Sequence, residues 1–116
     1  MIIIRQGSTP KITCHIPEDI DMSMIDNVWL YLAQNIDGVN DTIVVDKKYS
    51  QEEVVIDPAE HTLSVKLTQK DSLALNCGVA TIQIRLHYSN DDSNTSQEDR
   101  VRILPAYKKG EMTNEN

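Results

Sequence analysis

From Val79 to Tyr88 apolar and polar residues take turns: Ala80, Ile82, Ile84, Leu86 and Tyr88 fall on one side, Thr81, Gln83, Arg85 and His87 on the other. A period of two predicts a strand with one buried and one solvated face. The period recurs over Lys11–Ile16, where Ile12, Cys14 and Ile16 oppose Lys11, Thr13 and His15. It recurs over His61–Leu67, with Leu63, Val65 and Leu67 inward and Ser64 and Lys66 outward, and over Asp99–Leu104, with Val101 and Ile103 inward and Arg100 and Arg102 outward. Ile2–Arg5, Thr42–Asp46 and Val54–Ile56 read as shorter strands.

Asn27–Gln34 is apolar on both sides, with Val28, Leu30 and Leu32 on one and Trp29, Tyr31 and Ala33 on the other. A helix is the rival reading, since Ser23 and Asp26 have capping spacing and Ile25, Val28, Trp29 and Leu32 lie at helical intervals. A central strand is preferred, because the flanking segments are strands and Asp37-Gly38 is a hairpin signal. Thr68–Leu73 predicts one helical turn, capped by Thr68 with Asp71 three residues on, and Leu73 and Leu75 plugging the end of the core. Glu18–Asp26 reads as an acidic connection, and Ser89–Gln97, wholly polar, as a mobile loop. These elements predict an all-β fold: an antiparallel, immunoglobulin-like β-sandwich of seven to eight strands with one short helical turn near 68–74. It forms a single domain over residues 1–106, followed by a polar C-terminal tail over 107–116.

The chain has 116 residues, enough for one domain, and no Phe, so its core is built from Ile, Val and Leu. Its net charge of −7 repels a phosphate backbone and argues against nucleic acid as the main partner. The N-terminus lacks the basic start and apolar stretch of a secretion signal, and no run approaches the roughly 20 apolar residues of a membrane span. Synthesis in the cytoplasm without a signal peptide is therefore expected, with no membrane association and with Cys14 and Cys77 as reduced thiols.

Candidate chemistry is sparse. His15, His61 and His87 lack zinc-site spacing. Cys14 is expected inward among isoleucines, where a thiol stays protonated. Asn90, Asp91, Asp92 and Asn94 offer oxygens but no calcium-loop pattern, and no nucleophile elbow is present. The expectation is a protein with no enzymatic activity, no cofactor and no metal. Two features remain as interface candidates. Hairpin pairing of the last two long strands predicts a basic outward face carrying Arg85, Arg100 and Arg102, either neutralised by nearby carboxylates or docking an acidic partner. Trp29 and Tyr31 form an aromatic pair on the second face of a central strand, covered by the protein's own chain or by another subunit.

Several segments resemble small proteins encoded by phages and prophages of Gram-positive bacteria: Ile4-Arg5-Gln6-Gly7-Ser8-Thr9-Pro10, the strand ending Leu32-Ala33-Gln34, and Val65-Lys66-Leu67-Thr68-Gln69-Lys70-Asp71-Ser72-Leu73, followed by Gly78 and Ile82-Gln83-Ile84-Arg85. Such proteins lie among tail and baseplate genes, and the N-terminal domain of upper baseplate proteins is similar. The chain departs from them by its acidic Glu18–Asp26 insert and its long Ser89–Gln97 loop. The resemblance implies a β-sandwich with a structural or assembly role, placed in the virion, whose partners are other phage structural proteins or further copies of itself in a homo-oligomer. It transfers no active-site residues. The alternative is a carbohydrate-binding accessory module, which needs Trp29 and Tyr31 as an open platform.

Overall fold

The alternating runs become the strands of two packed sheets. The computed structural model describes residues 2–95 and 99–106. The strands are β1 (Ile2–Arg5), β2 (Lys11–His15), β3 (Ile25–Asn35), β4 (Asp41–Ser50), β5 (Val55–Asp57), β6 (Thr62–Lys66), β7 (Gly78–Tyr88), β8 (Ser93–Thr95) and β9 (Asp99–Leu104), with one α-helical turn, α1 (Gln69–Ala74), between β6 and β7. The larger sheet runs β1-β9-β7-β3-β4, with β8 also on β7; the smaller runs β2-β6-β5. The ladders are antiparallel except for β1, which lies parallel to β9 with Ile4 level with Ile103. The two sheets make a mostly antiparallel all-β sandwich.

The core lies between the sheets. Val28, Leu30 and Leu32 of β3 are fully enclosed, as are Ile4, Leu63 and Val101 from β1, β6 and β9. β3 is a strand, not the rival helix, because it is paired along most of its length on both sides, to β4 and β7. Tyr49 pins the layers together: its hydroxyl donates to the Lys66 carbonyl across the core at 3.0 Å. Burial first, then the Asp71 and Glu53 carboxylates, push the Tyr49 pKa up to about 12, so this donor keeps its proton.

The end of the sandwich is closed by polar contacts. Thr68 caps α1 in a capping box with Asp71, as expected. Ser72, on the inner side of α1, is fully buried. Its hydroxyl donates to the Ser8 carbonyl at 2.7 Å and accepts from the Gly7 amide at 3.0 Å, tying α1 to the turn between β1 and β2. Gln6 reaches the Leu75 carbonyl with its side-chain amide at 2.6 Å, and Leu75 is the residue that plugs the core. Leu73 is only half-buried.

Some expectations need correction. The Ser89–Gln97 segment is not all loop. A tight turn holds Asp91 at φ 71° and returns the chain as β8 against Arg85–His87. Ser96, Gln97 and the 107–116 tail lie outside the described residues. β4 extends to Ser50 rather than Asp46. His61 lies ahead of β6 in a left-handed conformation (φ 56°). Ser64 is buried, not solvated, because its hydroxyl pairs with that of Thr13 across the β2–β6 ladder at 2.8 Å. Cys14, by contrast, packs half-buried against the core as expected, its thiol pushed up by burial, and both cysteines are free.

Two β-bulges shape the larger sheet. Leu32 pairs with Val45 and Ala33 with Ile43, leaving Val44 as an extra residue in β4. Ile25 pairs with Tyr88 and Asn27 with His87, leaving Asp26 as an extra residue in β3. A bulge re-aims a side chain, and the second one matters for the site.

Candidate functional site

The outward face of the larger sheet carries every interface candidate named from the sequence. Side-chain alternation along β3 sends Val28, Leu30 and Leu32 inward and Trp29, Tyr31 and Ala33 outward. Their cross-strand neighbours fix the layout. Trp29 lies between Lys48 of β4 and Arg85 of β7, Tyr31 between Asp46 and Gln83, and Ala33 between Ile43 and Thr81. Beyond β7, Arg100 lies opposite Thr81, Arg102 opposite Val79, and Ile3 beside Arg102.

Trp29 and Tyr31 are both half-buried. Part of that cover comes from the protein itself. The Lys48 ammonium sits 5.2 Å from the Trp29 ring centroid, a cation–π contact, and the His87 ring meets Trp29 edge-on at 6.4 Å between centroids. Tyr31 lines an open groove of about 460 Å³ with Ala33, Ile43, Gln83 and Arg85. No described strand or helix is stacked over this face.

The three arginines share the face and are exposed, but they do not cluster. β8 occupies the edge of β7 at Arg85–His87, so β9 joins β7 only from Ile82 onward. Arg100 and Arg102 are neighbours on β9, whereas Arg85 lies four residues along β7 from Thr81, the partner of Arg100. At about 3.3 Å per residue that is roughly 13 Å away. Among the described residues none of the three forms an ion pair.

Exposed large apolar side chains gather at one end of the same face. Ile3, Val79 and Ile43 are each more than half exposed, and Ile36 and Val39 project from the β3–β4 hairpin beside them. Among the described residues only Val55, on β5, is a large exposed apolar side chain of the other sheet. Single exposed hydrophobics need no explanation, but several on one sheet face mark a contact surface.

A feature missed from the sequence lies at the other end. The Asp26 bulge aims its carboxylate at His87, 2.8 Å from Nδ1, while Asp91 approaches Nε2 at 3.0 Å. Both ring nitrogens face acceptors, which favours imidazolium. The Asp26 hydrogen bond, then that of Asp91, raises the His87 pKa above its usual value, and the His87 bond lowers that of Asp26. No spacing rule finds this group, because the bulge aims Asp26 at a residue 61 positions away. The carboxylates lie at opposite ends of the ring and cannot converge on one ion. Among the described residues no three His, Cys, Asp or Glu side chains are grouped to hold a metal. In the 90–94 turn Asp92 accepts from the Asn90 side-chain amide at 3.1 Å and Asn90 Oδ1 accepts from the Asp92 backbone amide at 3.1 Å.

The bracket latches the 89–92 turn to β3, and its pH dependence has a definite sign. A raised His87 pKa contributes stability that is complete below the ordinary imidazole value near 6.5 and is lost as pH rises through the folded value. A lowered Asp26 pKa contributes stability present above about 3.9 and lost as pH falls. The latch should therefore hold best between roughly pH 4 and 6.5. An NMR titration of the imidazole should give a midpoint above 6.5 that drops in Asp26→Asn. A midpoint at or below 6.5 would contradict the bracket.

The chain matches no protein-family model, and no relative is found among curated proteins. No helix among the described residues is long and apolar enough to cross a membrane.

Proposed function

We propose that this protein is a non-enzymatic contact module, a phage or prophage structural protein of the tail or baseplate type, acting through the outward face of its larger sheet. The observation that carries the reading is the gathering of Ile3, Val79 and Ile43, more than half exposed, on the face that also holds Trp29, Tyr31 and the three exposed arginines. Apolar area supplies binding energy, Trp, Tyr and Arg are the usual anchors, and charge at the margin sets register. The tail and baseplate assignment rests on the sequence resemblance. A carbohydrate-binding role is less well supported, since the Lys48 ammonium already sits over the Trp29 ring.

The test is composition of assembled particles. Mass spectrometry of gradient-purified virions or tails from the host carrying this chain should find it in fixed ratio to the other structural proteins. Its absence from particles, with all of it recovered as free monomer, would remove the reading.

A further inference from the structure

At one end of the contact face the two margins carry opposite charge in the same row. Ile3, Arg102 and Val79 are consecutive neighbours across β1, β9 and β7. Extending the β7–β3 register by two residues brings Asn35 level with Val79, and Asn35 pairs with Asp41 on β4. One row thus runs from Arg102 on one margin to Asp41 on the other. Arg5, Arg100 and Arg102 are exposed on the β1–β9 side; Asp41 and Asp46 are exposed on the β4 side, with Lys48 farther along β4 beside Trp29. Among the described residues neither Asp41 nor Arg102 forms an ion pair.

We infer that a second copy of this chain covers the face, related by a two-fold axis lying in the interface, parallel to the strands and between β7 and β3. The inference rests on the contact reading above and names its partner. Such an axis reflects each row onto itself end for end, so Arg102 of one copy meets Asp41 of the other, twice per dimer. Tyr31 then lies over Gln83, and Trp29 over Arg85. An axis perpendicular to the strands instead lays each margin on its own copy, so Arg102 and Asp41 do not meet. Isologous pairing by one self-complementary patch is the commonest oligomer geometry. The area is of the right order: β9, β7, β3 and β4, the strands that overlie one another about this axis, make a face of about 600 Å² at about 3.3 Å per residue and 4.8 Å between strands, against roughly 800 Å² per partner in a standard interface. Face-to-face sheets cross at about 30°, an offset that the long Arg102 side chain spans.

Sedimentation equilibrium of the full chain from 1 to 200 µM should show a species of twice the 13.1 kDa chain mass. Asp41→Arg and Arg102→Asp place like charges opposite each other in each homodimer, and each should weaken dimerisation at least tenfold with an unchanged circular dichroism spectrum. An equimolar mixture of the two variants should recover it, because every margin contact in the mixed pair is again Arg to Asp. A wild-type protein of single-chain mass at 200 µM, or a mixture no better than its components, would overturn the inference. Either result would leave the wider reading standing if the monomer is found in purified particles, and absence from particles would remove that reading whatever the dimer does.

Discussion

Leu30→Ala should destabilise the fold by about 2–5 kcal/mol, a fall of roughly 10–20 °C in melting temperature for a chain of this size. Leu30 is fully enclosed at the middle of β3, the strand with neighbours on both sides, and no adjacent element is free to collapse into the space a leucine leaves. Tyr31→Ala removes a larger side chain from the next position, but from the outward face, where Tyr31 is half-buried. Its cost should be less than half as great. Paired thermal melts of the two variants test the inward and outward assignment of the strand. Equal losses would contradict it.

Ser72→Ala is the second large effect. The substitution deletes one oxygen, yet it strands the Gly7 amide and removes the hydroxyl donor from the Ser8 carbonyl. A polar group left unpaired in a buried setting costs about 1–3 kcal/mol. The expected loss is about 2–3 kcal/mol by urea denaturation, with faster hydrogen exchange at the Gly7 amide. A loss under about 0.5 kcal/mol would mean that water replaces the hydroxyl at no cost.

Sequence patterning located most of the sandwich because its physical cause is local. β7 reads correctly because burial alternates along its whole length from Ala80 to Tyr88. The Thr68–Asp71 capping box and the Asp37-Gly38 hairpin read correctly because each is a contact within four residues. In the hairpin the Asp37 carboxylate accepts from the Val39 and Asn40 amides, and Gly38 takes φ 81°. What failed to show depends on distant chain. The end of β4 reads as polar because Lys47 points inward, where it reaches Asp71 on α1 at 3.1 Å. The bulge at Val44 shifts the alternation out of step, so the run looks finished at Asp46. β8 has no apolar residue, and its position comes from the free edge of β7 rather than from its own side chains.

The site shows the same division. Trp29, Tyr31 and the arginines lie on one outward face, as their parity along the strands implies. Their spacing depends on β8 interposing before β9, which no parity rule contains. The Asp26–His87–Asp91 bracket was hidden for the related reason that a bulge breaks the count on which parity depends.

The central claim is that contacts are made by the outer face of the larger sheet and not by the smaller sheet. Ile43 and Val55 form a matched pair for testing it: both lie on strands at the margins of their sheets, and they are 57% and 62% exposed. Ile43→Glu and Val55→Glu should both fold, since each adds a solvated charge at an edge. The decisive measurement is the incorporation of each variant into purified particles relative to wild type. The account predicts that Ile43→Glu is lost from particles while Val55→Glu is retained. Full incorporation of Ile43→Glu together with loss of Val55→Glu would contradict it.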